Sequence, residues 1–300
     1  MLRIEPVAPG QQERALRLLA GRRHGEHVAA FADMMAAHDP SRCRLWWARG
    51  LRRPRAAALT VRSPGGTAMV FHTPAASCDG VSLSRLLEEL TDAVLAEGAT
   101  FVQALVRPGE AADAAALAQA GHEFLAHLIY LRRPLADPPD PPRADLTWRR
   151  FRPGDEKHLG RIIAETYVGS RDCPALLGLR PMDDVIAAHR SSGVYRPDWW
   201  WLPACGAEPV GCILVNEVVA GSGAADVVYL GLRPAWRGRG FARAMIRHAL
   251  RVVAGEGVAD AHLAVDSANA PALRLYLDEG FSETDRKDVY IKRRPRREER

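Results

Sequence analysis

The sequence predicts a mixed α/β fold built from two tandem copies of one plan. Three observations lead there. Residues 134–142 hold five prolines, which forbid helix and favour extended chain, so they divide the sequence near its middle. The two sides begin alike, Leu2-Arg-Ile-Glu-Pro-Val-Ala-Pro-Gly10 against Leu146-Thr-Trp-Arg-Arg-Phe-Arg-Pro-Gly154, and end alike, Tyr130-Leu-Arg-Arg-Pro134 against Tyr290-Ile-Lys-Arg-Arg-Pro295. Between those ends Trp46-Trp47 answers Trp199-Trp200-Trp201, and Glu97-Gly98 answers Glu256-Gly257, in the same order. The expected domains are residues 1–134 and 146–300, joined by a proline-rich linker over 135–145.

In the second copy, a strand over 146–152 ends at a Pro-Gly turn, and an amphipathic helix follows over 155–167. A second helix is expected over 183–189. Strands over 199–203, 210–219 and 226–232 have the β-branched and aromatic content of a sheet interior. From there strand and helix alternate: helix 240–254, strand 261–265, helix 271–279 and a last strand 288–292. Antiparallel strands followed by alternation define a mixed sheet.

Length and composition bound the function. Three hundred residues suffice for two cores, and 47% hydrophobic with 26% charged residues is ordinary for a globular chain. The net charge of +5 sits in residues 286–300, which hold eight Lys or Arg and three acids, so no nucleic-acid-binding face is expected. No charge-free stretch of 18 apolar residues occurs and the first residues open no signal peptide, so no membrane span and a cytoplasmic location are expected. Five cysteines without a Cys-x-x-Cys read as reduced thiols. The histidine pairs His24/His27 and His122/His127 lack companions at metal-ligand spacing, and no metal is expected. Heavy use of Ala and Arg hints at a bacterial source.

The chemistry concentrates in Asp226-Val-Val-Tyr-Leu-Gly-Leu-Arg-Pro-Ala-Trp-Arg-Gly-Arg-Gly-Phe-Ala-Arg243, a strand, a glycine-bearing loop and a helix start. The first turn of a helix leaves N–H groups unpaired and presents the positive end of its dipole, which suits phosphate. Gly238 and Gly240 let the backbone approach a diphosphate, and Arg237 and Arg239 add charge. Arg243 could also reach a phosphate, while Arg247 and Arg251 on the same helix face read as solvated. No Gly-Lys-Ser/Thr follows, and Arg243 stands where a Gly-x-Gly-x-x-Gly motif needs its third glycine, so ATP and NAD are disfavoured.

These residues resemble the GNAT N-acetyltransferases, whose Arg/Gln-x-x-Gly-x-Gly/Ala signature is present as Arg237-Gly-Arg-Gly240-Phe-Ala242. The strand Leu230-Gly231-Leu232 precedes it, and Asn269-Ala-Pro-Ala-Leu-Arg-Leu-Tyr276 and Glu279-Gly280-Phe281 follow. The resemblance covers residues 146–295 and implies two tandem GNAT (acyl-CoA N-acyltransferase) domains. It also implies acetyl-CoA as acetyl donor, with pyrophosphate on Arg237, Gly238, Arg239, Gly240, Phe241 and Ala242, pantetheine along Leu230, Gly231 and Leu232, and a cofactor contact at Asn269. Tyr276 matches the general-acid position. Asp226 stands where some members have a catalytic Glu, with Glu217 or ordered water as the other candidate bases. Asp226 also reads as the end of a turn, Asn269 as a helix cap, and Tyr276 as one residue of an apolar helix face. One or two rings of Trp199–Trp201 are expected to line the acceptor cleft.

With the offset of 159, Arg237, Gly240, Ala242, Asn269 and Tyr276 fall on Cys78, Val81, Leu83, Glu110 and Leu117, so the first copy reads as degenerate. The implied activity is direct acetyl transfer to a primary amine of a small molecule or peptide, with a homodimer admissible. The tandem plan is similar to that of the mycothiol synthases, which adds a thiol- or sugar-linked amine to the candidate acceptors. The alternative is an acyl-CoA-binding regulatory or interaction protein without turnover.

Overall fold

The computed structural model describes residues 2–21, 24–51, 53–142 and 145–294, which form two compact units, Met1–Leu125 with Lys287–Arg300, and Ala126–Arg286. In the first half of the chain the elements are β1 (Arg3–Pro6), α1 (Gln12–Ala20), α2 (His24–Ala36), β2 (Cys43–Arg49), β3 (Pro54–Ser63), β4 (Thr67–His72), α3 (Gly80–Ala96), β5 (Phe101–Val106), α4 (Ala111–Gln119) and β6 (Glu123–Pro134). In the second half they are β7 (Thr147–Arg150), α5 (Glu156–Tyr167), α6 (Met182–Ser191), β8 (Trp200–Cys205), β9 (Glu208–Pro209), β10 (Gly211–Glu217), β11 (Ala224–Leu232), α7 (Phe241–Gly255), β12 (Asp260–Asp266), α8 (Ala270–Asp278) and β13 (Ser282–Arg293). Apart from the small β9, the second list repeats the first element for element.

In unit 1 the strands run β1-β2-β3-β4-β5, antiparallel except for the parallel pair β4–β5. The next neighbour of β5 is not β6. It is the end of β13, whose Asp288–Arg293 pairs antiparallel with Phe101–Val106. Unit 2 shows the reciprocal arrangement: its order is β7-β8-β10-β11-β12, and β12 pairs antiparallel with β6 from Leu128–Asp266 to Pro134–Asp260. The last strand of each repeat therefore completes the other repeat's sheet, as in a domain swap within one chain.

The contact boundary accordingly runs through β6 and β13 rather than through the proline-rich segment. That segment is no free linker along its described residues. The Leu135 N–H donates to the Ala259 carbonyl, Leu135 is buried with Ile129 and Leu131, and the Pro139 carbonyl accepts from Arg251 at 3.0 Å. Of the basic C-terminal run, Lys292 to Arg294 are fixed in unit 1, Lys292 on Asp92 and Arg293 on Glu123, and residues 295–300 lie outside the described residues.

Each sheet carries helices on both faces. In unit 2 one face packs under α7 and α8, with Met245, Ile246, Leu250 and Val253 of α7 buried against Ile213, Val215, Ala225 and Val227. Each such side chain contributes roughly 1.5–3 kcal/mol on burial. The other face packs under α5 and α6 through Leu159, Ile162, Ile163, Val185 and Ile186. Trp199, Trp200 and Trp201 are all core: none is more than 1% exposed, their neighbours are Val210, Ile213 and Leu214, and two indole N–H groups are bonded to Glu256 and Asn216. No ring of the three is free to line a cleft, contrary to the sequence expectation, because helices cover both faces of β8.

Candidate functional site

The site is built on β11. Its ladder with β10 sets Leu214 opposite Tyr229 but Val215 opposite Val227, so Val228 is an extra residue, a β-bulge. The bulge turns Val228 and Tyr229 toward the same layer, the one formed by α5 and α6, while Val227 and Leu230 face α7. On the other side, the parallel ladder with β12 runs only from Ala224–Asp260 to Asp226–His262. Beyond it the strands part, and the side of residues 227–232 that faces β12 has no strand partner among the described residues. Gly231 is required there, because a Cβ would come within 2.8 Å of Thr166 Oγ1 and of the Tyr229 ring. Tyr229 is held in that position by a 2.6 Å hydrogen bond between its hydroxyl and Thr166.

The chain then enters α7 through Arg237 to Gly240. Gly238 and Gly240 adopt φ of 72° and 80°, the left-handed region that only glycine enters at little cost, and a Cβ on either would meet no atom within 4 Å. The space in front of the helix is open. No side chain caps α7, and its first hydrogen bond joins the Ala244 N–H to the Gly240 carbonyl, so the preceding N–H groups have no helical partner. A fifteen-residue helix that begins uncapped behind two glycines has a start whose geometry suits an anion.

Unit 1 differs at the corresponding place. There α3 is capped by Asp79, whose carboxylate accepts the Ser82 N–H at 2.8 Å. The helix starts show that Gly240 corresponds to Asp79, Arg237 to Ala76 and Ala242 to Val81. The offset is thus 161 here and not 159, although Asn269 and Tyr276 do correspond to Glu110 and Leu117. A carboxylate already occupies the position that in unit 2 is open. The β3–β4 ladder also runs without a bulge.

The arginines are placed differently from the sequence expectation. The Arg237 guanidinium turns inward and donates to the carbonyls of Leu232, Thr166 and Gly169, tying the loop to the end of α5, so its side chain is a brace. Arg239 is exposed, lies over the Trp236 ring at 5.2 Å and is free to reach an anion. Arg243 pairs with Asp278 at 2.7 Å and with Glu279, and Arg247 with Glu279 at 2.7 Å, rather than reaching phosphate or standing solvated. The Glu279 carboxylate is buried between them, which fixes α8 against α7.

That fixing positions Tyr276. It is buried, with Phe281 edge-on at 5.8 Å, and burial together with the nearby Asp172 carboxylate pushes its phenol pKa up, so it keeps its proton at neutral pH. Asn269 caps α8, its side chain accepting from the Ala272 N–H. Asp226 lies at the end of the parallel ladder beside the splay. Burial raises its pKa to about 6, and it has no hydrogen-bond or ion-pair partner among the described residues. Glu217 is occupied instead: it accepts the Gly221 N–H at 2.7 Å and lies 3.7 Å from Arg196, holding the turn after β10.

Three features of the site carry no sequence motif. Asn216, fully buried, bonds the His189 and Ser192 carbonyls and the Trp200 indole, pinning the end of α6 to β10; its only signal is a polar residue inside an apolar strand. The loop after α5 is tied to the end of β12: Asp172 accepts from the Asp266 N–H and Asp266 from the Cys173 N–H, with Cys173 at φ 42°. His262 stands in register beside Asp226.

Residues 176–281 match the acetyltransferase (GNAT) family. Among curated proteins, a mycothiol acetyltransferase of Streptomyces bingchenggensis is 31% identical over 173 residues, 55% of this chain and 54% of that protein. The chain thus aligns with about half the length of that relative. A mycothiol acetyltransferase of Stackebrandtia nassauensis is 25% identical over 255 residues, 75% of this chain and 79% of that one. Among solved structures, a GCN5-related N-acetyltransferase from Sphaerobacter thermophilus superposes with a TM-score of 0.66 over 97% of this chain and 95% of that one at 20% identity. A tandem GNAT protein from the clavulanic acid biosynthesis pathway superposes with a TM-score of 0.53 over 99% and 100% at 16% identity. At those identities both likenesses concern the fold.

Proposed function

We propose, from the match of residues 176–281 to the acetyltransferase (GNAT) family, that unit 2 transfers acetyl from acetyl-CoA to the primary amine of a small molecule. The uncapped start of α7 carries this reading, because an open helix N-terminus behind two positive-φ glycines suits a pyrophosphate and its counterpart in unit 1 is closed by Asp79. Backbone N–H groups of residues 238–242, with the Arg239 side chain, would hold the pyrophosphate, and Arg237 would hold the loop. The open edge of Leu230, Gly231 and Leu232 would take pantetheine, and the N–H groups beside the bulge would stabilise the oxyanion.

The chain's residues supply both proton movements. Asp226, with a pKa of about 6, accepts the proton an ammonium must lose, and the amine nitrogen then bonds to the thioester carbon. As the C–S bond breaks, the Tyr276 phenol gives its proton to the departing thiolate. Unit 1 would be the degenerate copy. The names of the relatives make a mycothiol-type amine the first acceptor to test.

The test is calorimetric titration with acetyl-CoA, followed by release of CoA thiol with a panel of amines. Binding at one site, release with at least one amine, and a loss of release in Tyr276→Phe are expected. Binding without release from any amine would replace the enzyme by an acyl-CoA-responsive regulatory protein. An unchanged rate in Tyr276→Phe would remove the general-acid role.

A further inference from the structure

Asp226 does not stand alone on its face of the unit 2 sheet. Along β12, Ala261, Leu263 and Val265 point into the layer under α7 and α8, which leaves His262 and Ala264 on the opposite face. Along β6, Ile129 and Leu131 point into the same layer, which leaves Tyr130 and Arg132 on that opposite face. Asp226 joins this set, since it alternates with the inward-facing Ala225 and Val227. The register brings them together: Asp226 beside His262, His262 opposite Arg132, and Ala264 opposite Tyr130.

Two observations mark this strip as more than solvated surface. Ala264 is exposed where β12 has parted from β11 and pairs with β6 alone, so neither helix nor loop of the described residues covers the sheet there. The Asp226 carboxylate, the His262 ring and the Tyr130 hydroxyl each lack a hydrogen-bond or ion-pair partner among the described residues, although Asp226 and Tyr130 are largely withdrawn from water. Polar groups kept partly buried and unsatisfied weaken a sheet, and are retained where a ligand completes them. Arg132 is not in that state, being paired with Asp260 at 2.7 Å. The strip is held firmly from its outer side, where the Thr284 and Ser282 hydroxyls donate to the carbonyls of Tyr130 and Arg132.

We propose that this strip is the floor on which the acceptor amine lies, with Ala264 leaving room for it and with Tyr130 and His262 as acceptor-binding residues. The inference rests on the reading of unit 2 as an acetyltransferase. Arg132 and Asp260 pair with each other, while the Asp285 and Asp226 carboxylates both act on Tyr130, so the floor is acidic: an ammonium group is attracted to it and an anionic acceptor repelled. The Tyr130 and His262 side chains, as hydrogen-bonding groups, select a substituent such as a hydroxyl or amide close to the amine. Tyr130 belongs to β6, the last strand of the first repeat, so the degenerate copy would still supply part of the acceptor site through the exchanged strand.

The test uses the full chain, with Tyr130→Phe, which deletes only a hydroxyl, and Ala264→Phe, which fills the floor from an exposed position and leaves the core untouched. With an acceptor amine taken from the panel, Tyr130→Phe is expected to raise the acceptor KM about fivefold, the range of one lost hydrogen bond. The acetyl-CoA KM should not move, and the effect should vanish for an analogue lacking the hydrogen-bonding substituent. Ala264→Phe should raise the acceptor KM at least about tenfold while calorimetric binding of acetyl-CoA stays unchanged. An acceptor KM that neither substitution moves, or equal effects on both substrates, would overturn the floor. If no amine is acetylated by the unsubstituted protein, the acetyltransferase reading is what fails. The floor is then judged by equilibrium binding of the same amines: binding weakened by Ala264→Phe supports it, and binding that is absent or unaltered refutes it.

Discussion

Replacing Asp226 by Asn is expected to stabilise unit 2 while abolishing turnover. The Asp226 pKa rises from 3.8 to about 6 through burial, and two pH units at 1.36 kcal/mol each correspond to about 3 kcal/mol. The folded state binds this proton more tightly than the unfolded state, so the contribution to stability is fully present below pH 3.8 and is lost as pH rises through about 6. At pH 8 the carboxylate is ionised in both states, and folding bears the whole penalty of withdrawing the charge from water. Asn has nearly the same size and no charge, though its amide also goes unsatisfied at a cost of about 1–2 kcal/mol. Asp226→Asn should therefore gain about 1–2 kcal/mol at pH 8 and show no gain at pH 4. Urea unfolding followed by tryptophan fluorescence would report it, since Trp199, Trp200 and Trp201 are buried in the same unit. The same variant should release CoA thiol at least about a hundredfold more slowly. A variant less stable than its parent at pH 8, or equally stabilised at both pH values, would refute the account of Asp226 as a desolvated, unpartnered base.

Other outcomes follow from the same geometry. Gly240→Asp places on α7 the carboxylate that Asp79 places on α3, and with φ at 80° it adds about 1 kcal/mol of backbone strain; acetyl-CoA affinity should fall at least about tenfold by calorimetry without loss of the fold, and unaltered affinity would show that the pyrophosphate lies elsewhere. A fragment spanning 146–300 lacks β6 and so loses the burial of Ile129, Leu131 and Leu135, roughly 5–9 kcal/mol, which is most of a typical domain stability. It should not fold cooperatively by circular dichroism, whereas a fragment beginning at 126 should. Asn216→Ala leaves the Trp200 N–H and two carbonyls without partners and should cost about 2–4 kcal/mol in urea unfolding, with a raised acceptor KM as α6 loosens.

How far the sequence could be read depended on whether a feature is local. The order of elements, the Gly238 and Gly240 turn and the Asn269 cap are local, because each follows from what one short segment can do with its own backbone, and each is found where the residues indicate. Partner choice is not local. The alternation along β6 shows that Ile129 and Leu131 face a core, but the same alternation would serve β5 as well as β12, so the exchange of strands leaves no mark in the residues. The bulge at Val228 is equally silent, since an extra residue in a ladder becomes visible only when the facing strand is known.

The arginines teach the complementary point. Charge at a loop suggests charge for a ligand, yet Arg237 and Arg243 are committed to carbonyls and carboxylates of neighbouring elements, and of the three Arg239 alone has no such partner among the described residues. What remains for the anion is mostly backbone: unpaired N–H groups behind two glycines, which no charge count registers. The contrast between α3 and α7 follows from this. One aspartate at a helix start in unit 1 fills the place that a glycine leaves open in unit 2, so two repeats with the same order of elements differ in what their helix starts leave open, and a single side chain closes that position.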